Sequence, residues 1–178
     1  MSLKTNYLDK SKFSTKNRAV FIHPDAKITK FKEKFDEKIS QKIVNFLKKN
    51  KNTKDNKIIS LNQDFDQKLI IIFLTKENDE LASEKLGAKF FDFVKSSEVD
   101  EIFIQGPDFF NSKKYSISFN SFIHGAELKS YKFNLYKTNK KNKIINFNIL
   151  RADIPQKKKN LDAILNGVNF TRDLVSEP

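Results

Sequence analysis

A run of six apolar residues at 69–74 constrains the fold of this chain more than any other feature. The run, LIIIFL, shows no alternation between apolar and polar residues, so it predicts a strand that is buried on both faces. It is far shorter than the ~20 apolar residues that a membrane-spanning helix requires. We therefore expect a sheet covered by helices, and no membrane partner.

The remaining apolar pattern predicts helices that alternate with strands. Between 31 and 50, apolar residues recur every three or four positions, which is typical of an amphipathic helix. Asn78 is a suitable N-cap for a second helix. Alternation of this kind indicates an α/β class, with a mixed, mostly buried sheet and helices on both faces. The predicted strands cover 18–23, 57–61, 68–74, 99–104 and 143–150, and the predicted helices cover 31–50, 82–93, 115–128 and 155–175.

Length and cysteine content limit the organisation of the chain. Its 178 residues are enough for one compact domain with an appendage. It has no cysteine, which excludes disulfides and thiolate metal sites. The first residues lack the apolar core of a secretory signal, so we expect a cytoplasmic protein. We expect a polar N-terminal segment at 1–17 and a domain that starts at residue 18.

The basic charge leaves two interpretations open. The net charge is +12, and only three of the 34 cationic residues are arginine. A basic surface attracts nucleic acid, but arginine is the usual reader of bases and phosphates. A solvated, lysine-rich surface that reflects codon bias is therefore the alternative. The candidate DNA phosphate contacts lie in two short basic runs and are Lys140, Lys141, Lys143, Lys157, Lys158 and Lys159.

No pattern of catalytic or metal-binding residues is visible in the sequence. The two histidines, His23 and His124, lie in distant parts of the chain, and neither has a neighbouring ligand at the spacing of a metal site. The four glycines are scattered, so no phosphate-binding loop is recognisable. The residues alone indicate an α/β domain without an evident active site.

Two segments carry a resemblance to a known family. They are HGAELKSYKFNLYKT at 124–138 and GVNFTRDLVSEP at 167–178. Both resemble the leucyl aminopeptidases, also called cytosol aminopeptidases, in which a Glu-Gly-x-x-Leu-x-x-Tyr helix precedes Phe-Asp-x-Tyr-Lys and a later helix ends Arg-Asp-Leu-x-Asn-Glu-Pro. His124, Asn134 and Ser176 depart from that pattern. The matching residues are Gly125, Leu128, Tyr131, Phe133, Tyr136, Lys137, Arg172, Asp173, Leu174, Glu177 and Pro178.

The resemblance implies the N-terminal, non-catalytic domain of such an enzyme. It implies a macro-domain-like sandwich over 18–152 and an interdomain helix over 153–178. The parent enzyme would be a homo-hexameric hydrolase that releases N-terminal amino acids from peptides with two divalent metals, zinc or manganese. Its catalytic domain would follow residue 178, so this chain alone is expected to be inactive and to hold no metal or cofactor. Some family members bind DNA. Macro-like folds also bind ADP-ribose, but the glycine-rich loops for that ligand are missing here.

The interdomain helix has apolar residues on two sides. Phe170 and Leu174 lie on one side, together with Ala163. We interpret Phe170 and Leu174, with Arg172, as the surface that docks the catalytic domain, and scattered exposed apolar residues are the alternative. On a helical wheel that turns ~100° per residue, a second apolar stripe lies on the opposite side, and we expect it to be buried against 18–150. It consists of Leu161, Ile164, Leu165, Val168 and Val175.

Overall fold

The protein folds around one six-stranded, mostly parallel sheet. The structure is a computed structural model, which describes residues 2–9, 16–26, 35–64, 67–106, 113–133, 143–150 and 158–176. The strands lie in the order β1-β6-β5-β2-β4-β3, and only β3 runs antiparallel to its neighbour. They are β1 (Ser2–Leu8), β2 (Arg18–Ile22), β3 (Lys57–Asp64), β4 (Gln67–Phe73), β5 (Glu101–Ile104) and β6 (Ile144–Leu150).

Helices cover both faces of this sheet. One apolar cluster joins β2 and β4 to α1, and a second joins β2, β4, β5 and β6 to α2 and α3 on the other side. This arrangement confirms the predicted α/β sandwich with a mixed sheet. The described helices are α1 (Glu37–Asn50), α2 (Glu80–Ser96), α3 (Phe119–Ser130) and α4 (Lys158–Ser176), with one 3-10 turn at Lys113–Tyr115. None of the helices in this described part is long and apolar enough to cross a membrane.

The apolar run at 69–74 lies in β4, the strand next to the edge strand β3, and it is buried on both faces, as its composition predicts. Ile70 and Ile72 face α2 and α3, whereas Leu69, Ile71 and Phe73 face α1. All five side chains are fully buried. Because both faces of β4 are covered, the strand has no polar face to alternate with.

Three predicted helix starts were wrong. The helix predicted from 115 begins at Phe119, after a 3-10 turn, and a capping side chain explains the other two corrections. The first helix begins at Glu37 rather than near 31, because the Asp36 carboxylate accepts a hydrogen bond from the Ile39 backbone N–H at 2.7 Å. The segment 27–34 lies outside the described residues. The second helix is capped by Asp79, not by Asn78.

Asn78 has a different role from the predicted cap. It is buried, and its side-chain amide donates hydrogen bonds to the backbone carbonyls of Lys76 and Ser116. Its side-chain oxygen accepts a hydrogen bond from the Asn56 amide at 2.6 Å. Asn78 therefore joins three connecting segments instead of capping α2.

The N-terminal segment contains a strand that the sequence analysis did not predict. Residues 2–8 pair in parallel with the whole of β6, from Ser2 opposite Ile144 to Leu8 opposite Leu150. The Thr5 hydroxyl donates to the Glu127 carboxylate of α3 at 2.8 Å. Part of the segment 1–17 is thus an edge strand of the same sheet, although its composition is polar.

The last helix packs mainly against α3 rather than against the sheet. Leu161, Leu165 and Val168 are half-buried. Ile164 and Val175 were expected to be buried, but 53% and 81% of their surfaces are exposed. That part of the prediction is wrong, because α4 packs mainly on α3 and leaves these two side chains in solvent.

Candidate functional site

The two segments that resemble the aminopeptidase family meet in the folded chain. The first supplies the end of α3 and Tyr131 directly after it, and the second supplies the last turns of α4. The Tyr131 hydroxyl donates a hydrogen bond to the Asp173 carboxylate at 2.6 Å. Arg172 Nη1 donates to the Leu128 carbonyl at 2.9 Å, and its guanidinium carbon lies 5.3 Å from the centre of the Tyr131 ring. These contacts fix the end of α4 on the end of α3.

The environment of the Tyr131 phenol favours its protonated form. Desolvation and the hydrogen bond to Asp173 raise its pKa above the usual value, and the nearby Arg172 opposes that change. The protonated phenol is the form that donates to Asp173. The contact therefore persists through neutral pH.

Two glycines bring α2 and α3 into backbone contact and so determine where α3 ends. A Cβ at Gly125 would lie 2.0 Å from the Glu84 carbonyl oxygen, and a Cβ at Gly87 would lie 1.8 Å from the Phe122 carbonyl oxygen. Real Cβ contacts essentially never fall below 3.0 Å. Only glycine fits at these two positions, and Leu128 and Tyr131 are placed by this close packing.

Two open grooves flank α2, and both have basic rims. The first, of about 380 Å³, lies beside the Tyr131 contact, and the second, of about 210 Å³, lies near the start of α2. Lys85 lines both grooves. The first is lined by Glu84, Lys85, Ala88, Gly125, Leu128, Lys129, Tyr131 and Arg172. The second is lined by Asp55, Asn56, Lys76, Asn78, Ala82, Lys85, Leu86 and Lys89.

Of the six predicted lysines, the structure describes the side chains of Lys143 and Lys159, so the predicted phosphate contacts stay a prediction. Lys143 forms an ion pair with Asp100 at 2.6 Å. Lys158 begins α4, and Lys159 is exposed on its first turn. Lys140, Lys141 and Lys157 lie outside the described residues. Sequence reasoning missed the basic grooves beside α2, for which the four-residue spacing of Lys85 and Lys89 on one helix is the available signal.

Phe170 and Leu174 lie on the outer face of α4, as the interpretation of a docking surface requires. They are 65% and 55% exposed. Arg172, predicted as part of the same surface, points instead to α3, where it contacts Leu128 and Tyr131. The docking role itself stays a prediction.

The two histidines have separate environments. The buried His23 ring stacks on Tyr115, with centroids 5.1 Å apart, and His124 is buried in α3. In the part of the chain that the structure describes, no three His, Asp or Glu side chains converge to hold a metal ion. These residues therefore do not fit a metal site.

Solved structures show where this fold occurs. No family model and no curated protein matches the chain. A mutant form of tomato leucine aminopeptidase is similar over 100% of this chain, with a TM-score of 0.62 and 16% identity. The bottromycin maturation enzyme BotP is similar over 93% of this chain, with 11% identity and TM-scores of 0.56 alone and 0.54 in complex with Mn. The chain spans only 38% of the tomato protein and about a third of BotP.

Proposed function

We propose that this chain is the N-terminal, non-catalytic domain of a metal-dependent leucyl aminopeptidase. The fold likeness to two longer enzymes, of which the chain spans a third or slightly more, supports this assignment. In the proposal, the catalytic domain follows residue 178 and α4 is the helix that leads into it. The domain itself serves assembly and architecture.

One observation carries the proposal beyond the fold. The motif residues Leu128, Tyr131, Arg172 and Asp173 come from segments that are about 40 residues apart, and they contact each other through two hydrogen bonds of 2.6 and 2.9 Å. A chance resemblance of two short segments gives no reason for their side chains to pair. The pairing orients α4, which is what a helix between two domains has to do.

The rest of the parent enzyme is part of the same proposal. Two divalent metals, zinc or manganese, would lie in the catalytic domain and activate a water for peptide hydrolysis. The residues of this chain do not form a metal site in the described structure, so no catalytic step is assigned to them. The parent would work in the cytoplasm as a homo-hexamer, with this domain holding its own catalytic domain through α4.

The test compares two proteins. The 178-residue chain and the product of the complete reading frame are purified, and hydrolysis of leucine p-nitroanilide is measured with added manganese or zinc. We expect activity from the longer protein only, and its loss when a chelator is added. A mock purification from the same host controls for contaminating aminopeptidase. A reading frame without a peptidase domain, or a longer protein without this activity, contradicts the proposal.

A non-specific DNA-binding module is the second candidate, and the basic grooves favour it. Lys76, Lys85 and Lys89 line one groove, and Lys85, Lys129 and Arg172 line the next. A protein that binds the phosphate backbone of DNA has its cationic side chains clustered on one side. Because four of these five cations are lysines, we expect weak binding that depends on phosphates rather than bases.

Filter binding across a salt series tests this second candidate. The double variant Lys85→Gln/Lys89→Gln should lower the slope of log affinity against log salt by about 2. The control is Lys48→Gln/Lys49→Gln, which removes the same charge from exposed positions on α1, on the other face of the sheet. Equal loss in the two variants indicates a diffuse charge effect and contradicts a site at the grooves.

A further inference from the structure

The last helix is packed less closely than the other helices of the chain. None of its described side chains, from 159 to 176, is buried, whereas α1, α2 and α3 each bury five or six residues. Its apolar contacts come from Leu161, Leu165 and Val168, which are half-buried. Most of the stability of a helix in a protein comes from the apolar face that it buries. The contact between α4 and the rest of the described chain is therefore weak.

Two buried polar atoms at this contact lack a hydrogen bond. They are Oδ1 of Asn169, on α4, and Nδ1 of His124, on α3, and neither has a partner in the part of the chain that the structure describes. Asn169 lies one helical turn from Leu165 and from Asp173, and Asp173 accepts the hydrogen bond from Tyr131 at the end of α3. A buried polar group without a partner destabilises the state in which it is buried. Separation of α4 from α3 would let water bind these atoms.

A small cavity lies beside His124 in the same contact. Its volume is about 10 Å³, which is room for about one water molecule. Leu161 and Asp162 of α4 line it, together with His124 of α3 and Tyr7 of β1. Atoms that line a cavity lose packing contacts, so α4 does not fill the surface of α3 on which it lies.

The helix itself also lacks features that stabilise α1 and α2. Each of those helices has an acidic residue in its first turn and a basic residue in its last turn, which the helix dipole favours. In α4 the first turn has no acidic residue and the last turn has no basic residue. Gly167 lies in the middle of α4, and a Cβ added there would meet nothing within 4 Å in the described chain. Glycine therefore lowers the helix preference at this position without serving a close contact.

We propose that α4 detaches from α3 as a unit for a small fraction of the time, while the six-stranded sheet and α1 to α3 stay folded. The hydrogen bonds of Tyr131 and Arg172 hold the closed position at one end of the contact. The unpaired atoms of His124 and Asn169 favour the open position. The direction in which α4 leaves the sandwich can therefore change without unfolding of the sheet. This inference goes beyond the proposed function, because it concerns a motion within the chain and does not depend on what α4 connects to.

Amide hydrogen exchange in the 178-residue chain tests whether α4 opens by itself. Protection factors in α4 should be at least ~100-fold lower than those in β4, because a local opening needs less free energy than global unfolding. Low concentrations of urea should raise the exchange rates in β4 and leave those in α4 almost unchanged, since opening of one helix exposes little surface.

Ile71→Val separates local opening from global unfolding. Ile71 is a buried residue of β4 in the cluster on the α1 side of the sheet. Loss of one buried methylene should raise the exchange rates in β4 about fivefold. The rates in α4 should not change, because the opening of α4 leaves Ile71 buried.

Asn169→Leu tests the polar contact, and Asn166→Leu is its matched control. Asn166 is exposed on the same helix, so both variants make the same change in helix preference. Asn169→Leu also removes the unpaired oxygen, and it should slow exchange in α4 about tenfold. Asn166→Leu should slow it only about twofold.

Two kinds of result overturn the inference. Protection of α4 equal to that of β4, or an equal response of both elements to Ile71→Val, shows that α4 unfolds only together with the sandwich. Equal effects of Asn169→Leu and Asn166→Leu contradict a closed state that is weakened by the polar contact between α4 and α3.

Discussion

The same glycine-to-alanine change should have opposite effects on stability at Gly125 and at Gly167. At Gly125 the new Cβ would lie 2.0 Å from the Glu84 carbonyl oxygen, and the tightest real contacts begin at 3.0 Å. The α2 and α3 backbones must therefore separate by at least 1.0 Å, which is 3.0 minus 2.0 Å. The obstacle is backbone rather than a flexible side chain, so rotamer changes cannot relieve it.

The size of the effect follows from two opposing terms. Overpacking of a closely packed site costs about 1–3 kcal/mol, and a backbone obstacle belongs at the upper end. The better helix preference of alanine offsets about 1 kcal/mol of this cost. We expect Gly125→Ala to lower the free energy of unfolding by about 2 kcal/mol. Gly167→Ala should raise it by about 1 kcal/mol.

Urea denaturation of the 178-residue chain, followed by far-ultraviolet circular dichroism, measures both variants. The denaturation midpoints should lie on opposite sides of the wild type, with unchanged slopes. A Gly125→Ala variant that is as stable as the wild type would refute the backbone contact between α2 and α3. It would also remove the reason why α3 places Tyr131 against α4.

Four further predictions each concern a single side chain. Tyr131→Phe removes the hydrogen bond to Asp173 and should speed amide exchange in the last turns of α4. Because desolvation and that hydrogen bond raise the phenol pKa in the folded chain, wild-type stability should fall as pH rises above about 10, where the unfolded phenol ionises. The variant should lack this component of the alkaline decline. Asn78→Ala should lower the free energy of unfolding by about 2 kcal/mol, since it leaves buried groups unpaired. Asp79→Ala should lower it by about 1 kcal/mol, the usual contribution of an N-cap. Equal losses of the two variants in urea titrations would contradict these roles. Phe170→Ser should change the free energy of unfolding by less than about 0.5 kcal/mol, because Phe170 is 65% exposed, and a larger loss would show that its ring packs within the chain.

The buried sheet was predictable because one of its strands, β4, consists of consecutive apolar residues. The run at 69–74 needs no partner information to indicate a strand buried on both faces, and β4 has that environment. Helix starts were less predictable. The helical spacing of apolar residues begins at Phe31, upstream of Asp36, the N-cap of α1, so the spacing alone does not show where α1 begins. Asp36 sets the start of α1 through one local hydrogen bond, and the apolar spacing contains no trace of that bond.

The candidate site was predictable in part. The outward position of Phe170 and Leu174 follows from helical geometry alone. The direction of Arg172 does not, because it depends on where α3 ends and on the Leu128 carbonyl. The contact between Tyr131 and Asp173 joins residues that are 42 positions apart. Local sequence patterns do not indicate which distant residues will pair.

The pairing of β1 with β6 joins a strand that is synthesised early to a strand that is synthesised much later. The two strands are far apart in sequence, and the Asn6 amide donates to the Asn148 side-chain oxygen across 142 positions. Residues 2–8 are synthesised well before residues 144–150, so β1 can pair with β6 only after the intervening chain has been made. Pairing segments so far apart carries a large entropic cost of chain closure. The polar side chains Lys4 and Asn6 make an unpaired β1 a poor template for pairing with the wrong strand.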